Sequence, residues 1–165
     1  IDIYGGYSLH KNDFTMIYDE NALAYSYLLH DYQRGHIGAS AHYHFKDIVN
    51  VEARGNYYFW KNLSANLPVY DRPNWDASLR VDVNLDQKWS LYSDNRLEGT
   101  RLAHTTTQDV QLPMVIDLNI GAQYDINRWL NVYLQLGNYL HRKNPIYYGY
   151  TTQGCHFLAG VKYVF

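Results

Sequence analysis

The sequence predicts an all-β fold: one domain over residues 1–165, built as an antiparallel, up-and-down transmembrane β-barrel of about eight strands. Three observations predict it. Apolar residues recur at every second position over long stretches, a period that belongs to strands and not to amphipathic helices. Tight links recur at near-constant spacing, since Asp47 to Asp86 is 39 residues and Asp86 to Ile126 is 40. Aromatic residues make up 16% of the chain, with 18 tyrosines, and they gather toward the ends of the alternating runs.

The opening strand, 1–9, sets Ile1, Ile3, Gly5, Tyr7 and Leu9 against Asp2, Tyr4, Gly6 and Ser8. In 10–33, Leu23, Tyr25, Tyr27 and Leu29 alternate. A separate strand there would make nine and put the termini at opposite ends of the sheet, so 10–33 is expected to be a long extracellular loop or hairpin. From 36 to 45, Ile37, Ala39, Ala41, Tyr43 and Phe45 oppose His36, Gly38, Ser40, His42 and His44. From 49 to 59, Val49, Val51, Ala53, Tyr57 and Phe59 oppose Asn50, Glu52, Arg54, Asn56 and Tyr58. From 75 to 86, Trp75, Ala77, Leu79, Val81, Val83 and Leu85 oppose Asp76, Ser78, Arg80, Asp82, Asn84 and Asp86. The stretch 89–103 alternates least cleanly, and its strand is assigned from its place in the repeat. Met114, Ile116, Leu118, Ile120, Ala122 and Tyr124 mark the next strand, 114–126, and Leu130, Val132, Leu134 and Leu136 the one after, 130–140. The last reads Phe157, Ala159, Val161, Tyr163, Phe165.

Tight links at 46–48, 86–88 and 126–128 join these strands into long hairpins. The links between hairpins, 61–74, 103–113 and 142–153, are longer and hold all four prolines, Pro68, Pro73, Pro113 and Pro145, so none interrupts a strand. An alternating strand ordinarily belongs to a soluble sandwich or barrel with its apolar face inside. Strands of roughly nine or more residues are instead what a bilayer requires, where globular strands run about 5–6. Short turns at one end and long loops at the other are the asymmetry of outer-membrane barrels.

The interfacial aromatics expected from this pattern are Tyr43, Phe45, Trp89, Tyr124, Tyr163 and Phe165 on the tight-turn side, with Tyr57, Phe59, Trp75 and Phe157 on the other. Trp60 and Trp129 fall out of phase and are read as link or inward residues. The lumen-facing polar set is Glu52, Arg54, Arg80, Asp82, Asp94, Arg96, Glu98, Asp117 and Lys162. Its interspersed signs predict an ion-pair network, not a catalytic centre. The net charge of −2 excludes the basic excess of a nucleic-acid binder. The single cysteine, Cys155, excludes a disulfide framework. The chain opens Ile-Asp-Ile-Tyr with no basic n-region, which fits a processed protein or a piece of a longer one.

The C-terminal run Phe157-x-Ala159-x-Val161-x-Tyr163-x-Phe165 resembles the last strand of bacterial outer-membrane proteins. In them Phe157, Tyr163 and Phe165 would form the signal read by the barrel-assembly machinery. The longer run from Tyr148 to Val161, with Gln153-Gly154 and Ala159-Gly160, resembles the end of TonB-dependent-receptor-type barrels of the Bacteroidetes. Asp47-Ile48-Val49-Asn50-Val51 and Trp129-Leu130-Asn131-Val132 resemble that family too, although Thr151 stands where it often has Pro. The resemblance implies a bacterial outer-membrane location with extracellular loops and periplasmic termini. It implies outer-membrane lipids and lipopolysaccharide as partners, and a structural or transport role. Residues 1–165 carry no plug domain or TonB box and are too few for a twenty-two-stranded barrel, so a plug and TonB are expected partners only within a larger receptor.

Two other readings compete. A soluble, lipocalin-like barrel would enclose its ligand with the apolar phase; against it, the polar phase is not rich in Lys and Glu, and a C-terminal helix and an early Gly-x-Trp are missing. An outer-membrane lipid-modifying enzyme would need a triad. His104 with Thr105–Thr107, and His141, are loose candidates for one at the outer rim. His42 and His44, side by side with His36 and Ser40 nearby, make a metal conceivable, but no pattern supplies further ligands. The expectation is therefore no catalytic residue, no metal and no cofactor.

Overall fold

The computed structural model of the chain describes residues 1–64, 67–86 and 88–164. Every regular element among them is a strand: β1 (Asp2–Asp19), β2 (Ala24–Phe45), β3 (Val49–Asn62), β4 (Trp75–Asn84), β5 (Trp89–Glu98), β6 (Arg101–Thr105), β7 (Asp109–Leu112), β8 (Val115–Asn127), β9 (Leu130–Gly137), β10 (Pro145–Tyr147), β11 (Tyr150–Thr151) and β12 (His156–Tyr163). One ten-stranded sheet runs β12-β9-β8-β5-β4-β3-β2-β1-β6-β7, and β10 and β11 form a small second sheet. The long strands pair antiparallel in sequence order, and the register keeps each apolar phase on one surface, as with Val51↔Val81, Leu91↔Ala122 and Ala122↔Leu134.

The tight turns follow from local chemistry. Lys46 and Asp47 both take left-handed backbone (φ 47° and 53°), and Ile48 N–H donates to Phe45 O at 2.9 Å. That pair of positive φ values matches the twist of a hairpin. Asn127 Oδ1 accepts from the N–H groups of Trp129 and Leu130 at 2.9 and 3.0 Å, a side chain standing in for a turn's backbone. The third link, 86–88, includes Gln87, which lies outside the described residues, as does the terminal Phe165.

The apolar phase faces outward. Leu79, Ile120 and Leu134 are 42%, 44% and 52% exposed, and Ile37, Tyr43, Phe59, Phe157, Val161 and Tyr163 are exposed with them. Most buried side chains lie elsewhere, where the long links fold together at the far end, among them Tyr32, Tyr70, Ala103, Leu112 and Val115, with Thr105, Asn138 and Asn144. The buried asparagines are satisfied. Asn144 grips the backbone of Ile116 in both directions, at 2.9 and 3.0 Å, and Asn138 holds Arg142 and Gln153.

Three expectations need correction and one alternative is resolved. The sheet is open and does not close as an eight-stranded barrel: β12 pairs with β9 alone, and β1 with β2 and, near its tip, β6. The 99–114 segment leaves β5 and lays β6 parallel against Ile17 and Tyr18, in the outer tip of β1 beyond the end of β3. Second, of the loop or hairpin expected over 10–33 the structure has the hairpin, formed by the outer halves of β1 and β2 and paired from Asp13↔His30 to Asp19↔Ala24. A bulge at His10/Asp13 hides the continuity by breaking the alternation. Third, the run 89–103 is divided: β5 ends at Glu98, and 101–105 becomes β6 in another part of the sheet. Fourth, the links hold strands of their own, β6, β7, β10 and β11.

Candidate functional site

The inward phase of the strands meets the folded-in links at a cavity of about 490 Å³. The wall comes from β1 to β5, the roof from residues 71–73 and Arg101. The bulge in β1 contributes directly. Asn12 takes a left-handed φ of 52° and donates its N–H to Asp31 Oδ1 at 2.8 Å. The extra residue swings Asp13 onto the inward face and Phe14 onto the outward one, the re-aiming that bulges provide. Asp13 Oδ2 then accepts from Tyr32 Oη at 2.5 Å and faces Arg72 at 3.3 Å.

A chain of rings lines the cavity and continues down the wall. His10 stacks on Tyr32 at 4.6 Å, and Tyr32 meets Trp60 edge-on at 5.6 Å. Trp60 meets Tyr58 at 5.6 Å, Tyr58 meets His36 at 6.2 Å, and His36 meets Tyr4 at 6.4 Å. Their polar ends are fixed: Tyr58 Oη donates to Asp76 at 2.5 Å, Tyr4 Oη to Asn56 at 2.7 Å, and Trp60 Nε1 to Pro73 O at 2.9 Å. Rings so anchored lose little freedom when something stacks on them.

The charges are unevenly satisfied. Glu98 is held by Arg96 and, at 3.7 Å, by Arg101, and Asp76 by Tyr58 and Asn56. Asp71, left-handed at φ 59°, lies in the link above the strands. Burial pushes its carboxyl up to about 6, against the pull of a hydrogen bond from the Met16 backbone and the charges of Arg72 and Arg101. Its Oδ2 has no hydrogen-bond partner, nor do Arg34 Nε, Arg101 Nε and His36 Nδ1. Most buried polar atoms are paired, so such a concentration asks for a cause.

The expected lumen set is partly assembled. Arg80 grips Asp82 at 2.9 Å and reaches Asp94 at 3.7 Å, and Arg54 pairs with Glu52 at 3.2 Å. Arg96 and Glu98 belong to the cavity, while Asp117 and Lys162 enter no ion pair among the described residues. The expected aromatics among the described residues sit on the outward face, with Trp89 and Tyr124 in contact at 4.6 Å; Trp75 and Tyr124 are half-buried and the others exposed. Phe157 and Tyr163 lie on β12, and Phe165, third of the expected assembly signal, lies outside the described residues.

Of the rim candidates, His104 Nδ1 pairs with Asp109 at 2.7 Å. The nearby hydroxyls are engaged elsewhere, Thr105 with Gln108 O and Thr107 with Glu20. His141 accepts from Cys155 N–H at 3.1 Å, and His44 pairs with Asp47 at 2.9 Å. Among the described residues no three His, Cys, Asp or Glu side chains gather as metal ligands. An apolar groove of about 430 Å³ between Val81, Leu91, Ile120 and Leu134 lies on the outward face, away from every charged group. Sequence reasoning missed Tyr32, Arg34, Asp71, Arg72 and Arg101. The signal available was the inward phase itself, which runs on through His36, Arg34, Tyr32 and His30 beyond the girdle.

A curved antiparallel wall, apolar outside and polar inside with its loops folded over the polar face, defines the class: an outer-membrane barrel-like fold. Solved structures agree. The chain is similar to the pyoverdine outer membrane receptor FpvA from Pseudomonas aeruginosa PAO1 bound to pyoverdine, at TM-score 0.73 and 12% identity, over 99% of this chain and 27% of that one. The chain thus spans about a quarter of that receptor, and the likeness is one of fold. No family's sequence model and no curated protein matches it.

Proposed function

We propose that these residues form part of the wall of a larger outer-membrane barrel, TonB-dependent-receptor-like, whose inward basin contacts a ligand on its way across. The observation that carries this reading is the pair of open edges. Along β12 and the lower half of β1, backbone N–H and C=O groups have no neighbouring strand, while the side chains on the outward face are those of a lipid-facing surface. In hydrocarbon each unsatisfied backbone group costs several kcal/mol, and only closed barrels avoid it. β1 and β12 are not neighbours in the sheet, so further strands complete the wall. The outward apolar phase also disfavours a lipocalin-like barrel, which needs that phase inside. The His104–Asp109 pair without a free hydroxyl disfavours a lipid-modifying hydrolase. The role is binding and passage, without catalysis. Pyoverdine is not carried over as the ligand, because at 12% identity only the fold is shared.

The test is the distance between β1 and β12 in the protein as its gene encodes it, with spin labels at Tyr7 and Ala159 and Cys155 replaced by Ser. The expected separation exceeds that of paired strands, about 5 Å between backbones. A neighbouring-strand distance would mean that the eight long strands close on themselves.

A further inference from the structure

We infer that the basin is a binding site for a carboxylate carried on a ring that can stack on an aromatic, with Arg34 as the group that receives the carboxylate. The inference rests on the reading of the polar face as a ligand-lining surface and adds what that surface selects.

Arg34 is the odd member of the basin's charges. Arg72 is taken by Asp13, and Arg96 and Arg101 by Glu98. Among the described residues no carboxylate lies within ion-pair distance of Arg34, and no hydrogen bond reaches its guanidinium. Its Nε is shut away from solvent with no partner. A guanidinium presents a rigid fork of donors that fits a carboxylate through two parallel hydrogen bonds. The acids around it cannot fill that role. Asp13 and Asp76 are committed to Tyr32 and Tyr58, and Glu98 to its arginines. Asp71, the fourth acid of the lining, sits in the link above the strands and forms no ion pair with Arg34. An added anion therefore pairs with Arg34 without displacing a pair already made.

The rings supply the second half of the recognition. Arg34 lies directly across from Trp60 in the β2–β3 register, and His36 directly across from Tyr58. Tyr32 is covered, with His10 on one side and Arg72 over its ring at 6.0 Å. Trp60 and Tyr58 are half-buried in the cavity wall, each held by its polar end. A ligand whose ring stacks there puts a carboxylate within reach of Arg34. Two sources share this chemistry, an aromatic acid and an acidic sugar, since the first offers a flat face and the second the C–H face of its pyranose, each beside a carboxylate.

The experiment follows intrinsic tryptophan fluorescence of the detergent-purified, full-length protein during titration with 2-naphthoate and with digalacturonate. Their uncharged counterparts, 2-naphthamide and maltose, are run beside them. Saturable binding of at least one acid is expected, with its neutral counterpart weaker by on the order of tenfold or more, the size of a charge-assisted hydrogen bond. Arg34→Gln should remove that preference for the acid, and Arg34→Lys should restore part of it. Which acid binds identifies the source. Should Arg34→Gln fail to fold, the acid-against-neutral comparison on the unmodified protein still decides. Failure of both acids to bind, or equal binding of acid and neutral forms, overturns the proposal. The β1–β12 distance is measured without any ligand, so that reading can stand while this one falls.

Discussion

Asp71 shows how one side chain can set the behaviour of the loop cap. Its carboxyl is pushed up to about 6 by burial, so the folded state prefers the protonated form more than the unfolded state does. The sign follows: the penalty is absent below the unfolded value near 4, grows as pH rises, and is complete above about 6. Amide protection in the cap, at Asp71 and at Thr105, whose N–H groups donate to Leu102 O and Gln108 O, should therefore be greater at pH 4 than at pH 7.5. Asp71→Asn keeps the shape, tolerates the left-handed backbone and should abolish that part of the pH dependence in hydrogen exchange. On the outward face the deciding quantity is depth. Ile120→Arg should destabilise by about 2–4 kcal/mol, and Tyr163→Arg by about 0–1, in refolding titrations into lipid vesicles. Equal costs would speak against a bilayer around these strands. The outward set was legible in the sequence because alternation groups it on one face, and strand length with the short-turn, long-link asymmetry points that face outward. Asp71 was not, since nothing local tells a buried loop carboxylate from a solvated one.

At the scale of the element, the hairpin turns and the inward glycines carry the specificity. The 45–48 turn uses Lys46 and Asp47 where two left-handed residues are needed, a backbone that Asn-Gly adopts with far less strain. The double substitution Lys46→Asn, Asp47→Gly should stabilise the β2–β3 hairpin by about 1–2 kcal/mol, read from the same titrations. The exposed His44–Asp47 pair that it removes contributes little. On the inward face Gly121 stands across from Tyr92, and Gly160 across from Tyr133, and in each pair the ring lies where a Cβ would be. Gly121→Ala should lift Tyr92 from the wall and away from Arg80, now 5.7 Å from its ring, at a cost of about 1–3 kcal/mol. Added to Tyr92→Ala, the same change should cost much less, which a double-mutant cycle would show. The sequence revealed the strands and tight links because a period of two and turn residues are local signals. It concealed the outer half of β1, because the bulge at His10/Asp13 inverts its phase, while the outer half of β2 showed in the alternation of Leu23, Tyr25, Tyr27 and Leu29. It concealed β6 as well, because parallel pairing to β1 joins segments far apart in the chain.

For the whole molecule, the two faces of the wall define its solvent. Most buried side chains gather in the cap, while the long strands leave their apolar phase exposed and their charged phase turned inward. On the proposed reading a bilayer covers that surface along the long strands. The binding basin was invisible to sequence reasoning, because it needs β1 to β5 and two links brought together from 10 to 101 along the chain. The most direct measurement is cysteine labelling in intact outer membranes at neighbouring positions one residue apart. Cys155 is replaced by Ser, single cysteines are placed at Leu79, Ile120 and Leu134 or at Ser78, Asn119 and Gln135, and a water-soluble maleimide is applied. Labelling at the second three and protection at the first three is the predicted result. Equal labelling of both sets, or protection of the polar set with labelling of the apolar one, would contradict a membrane wall with its polar face inside.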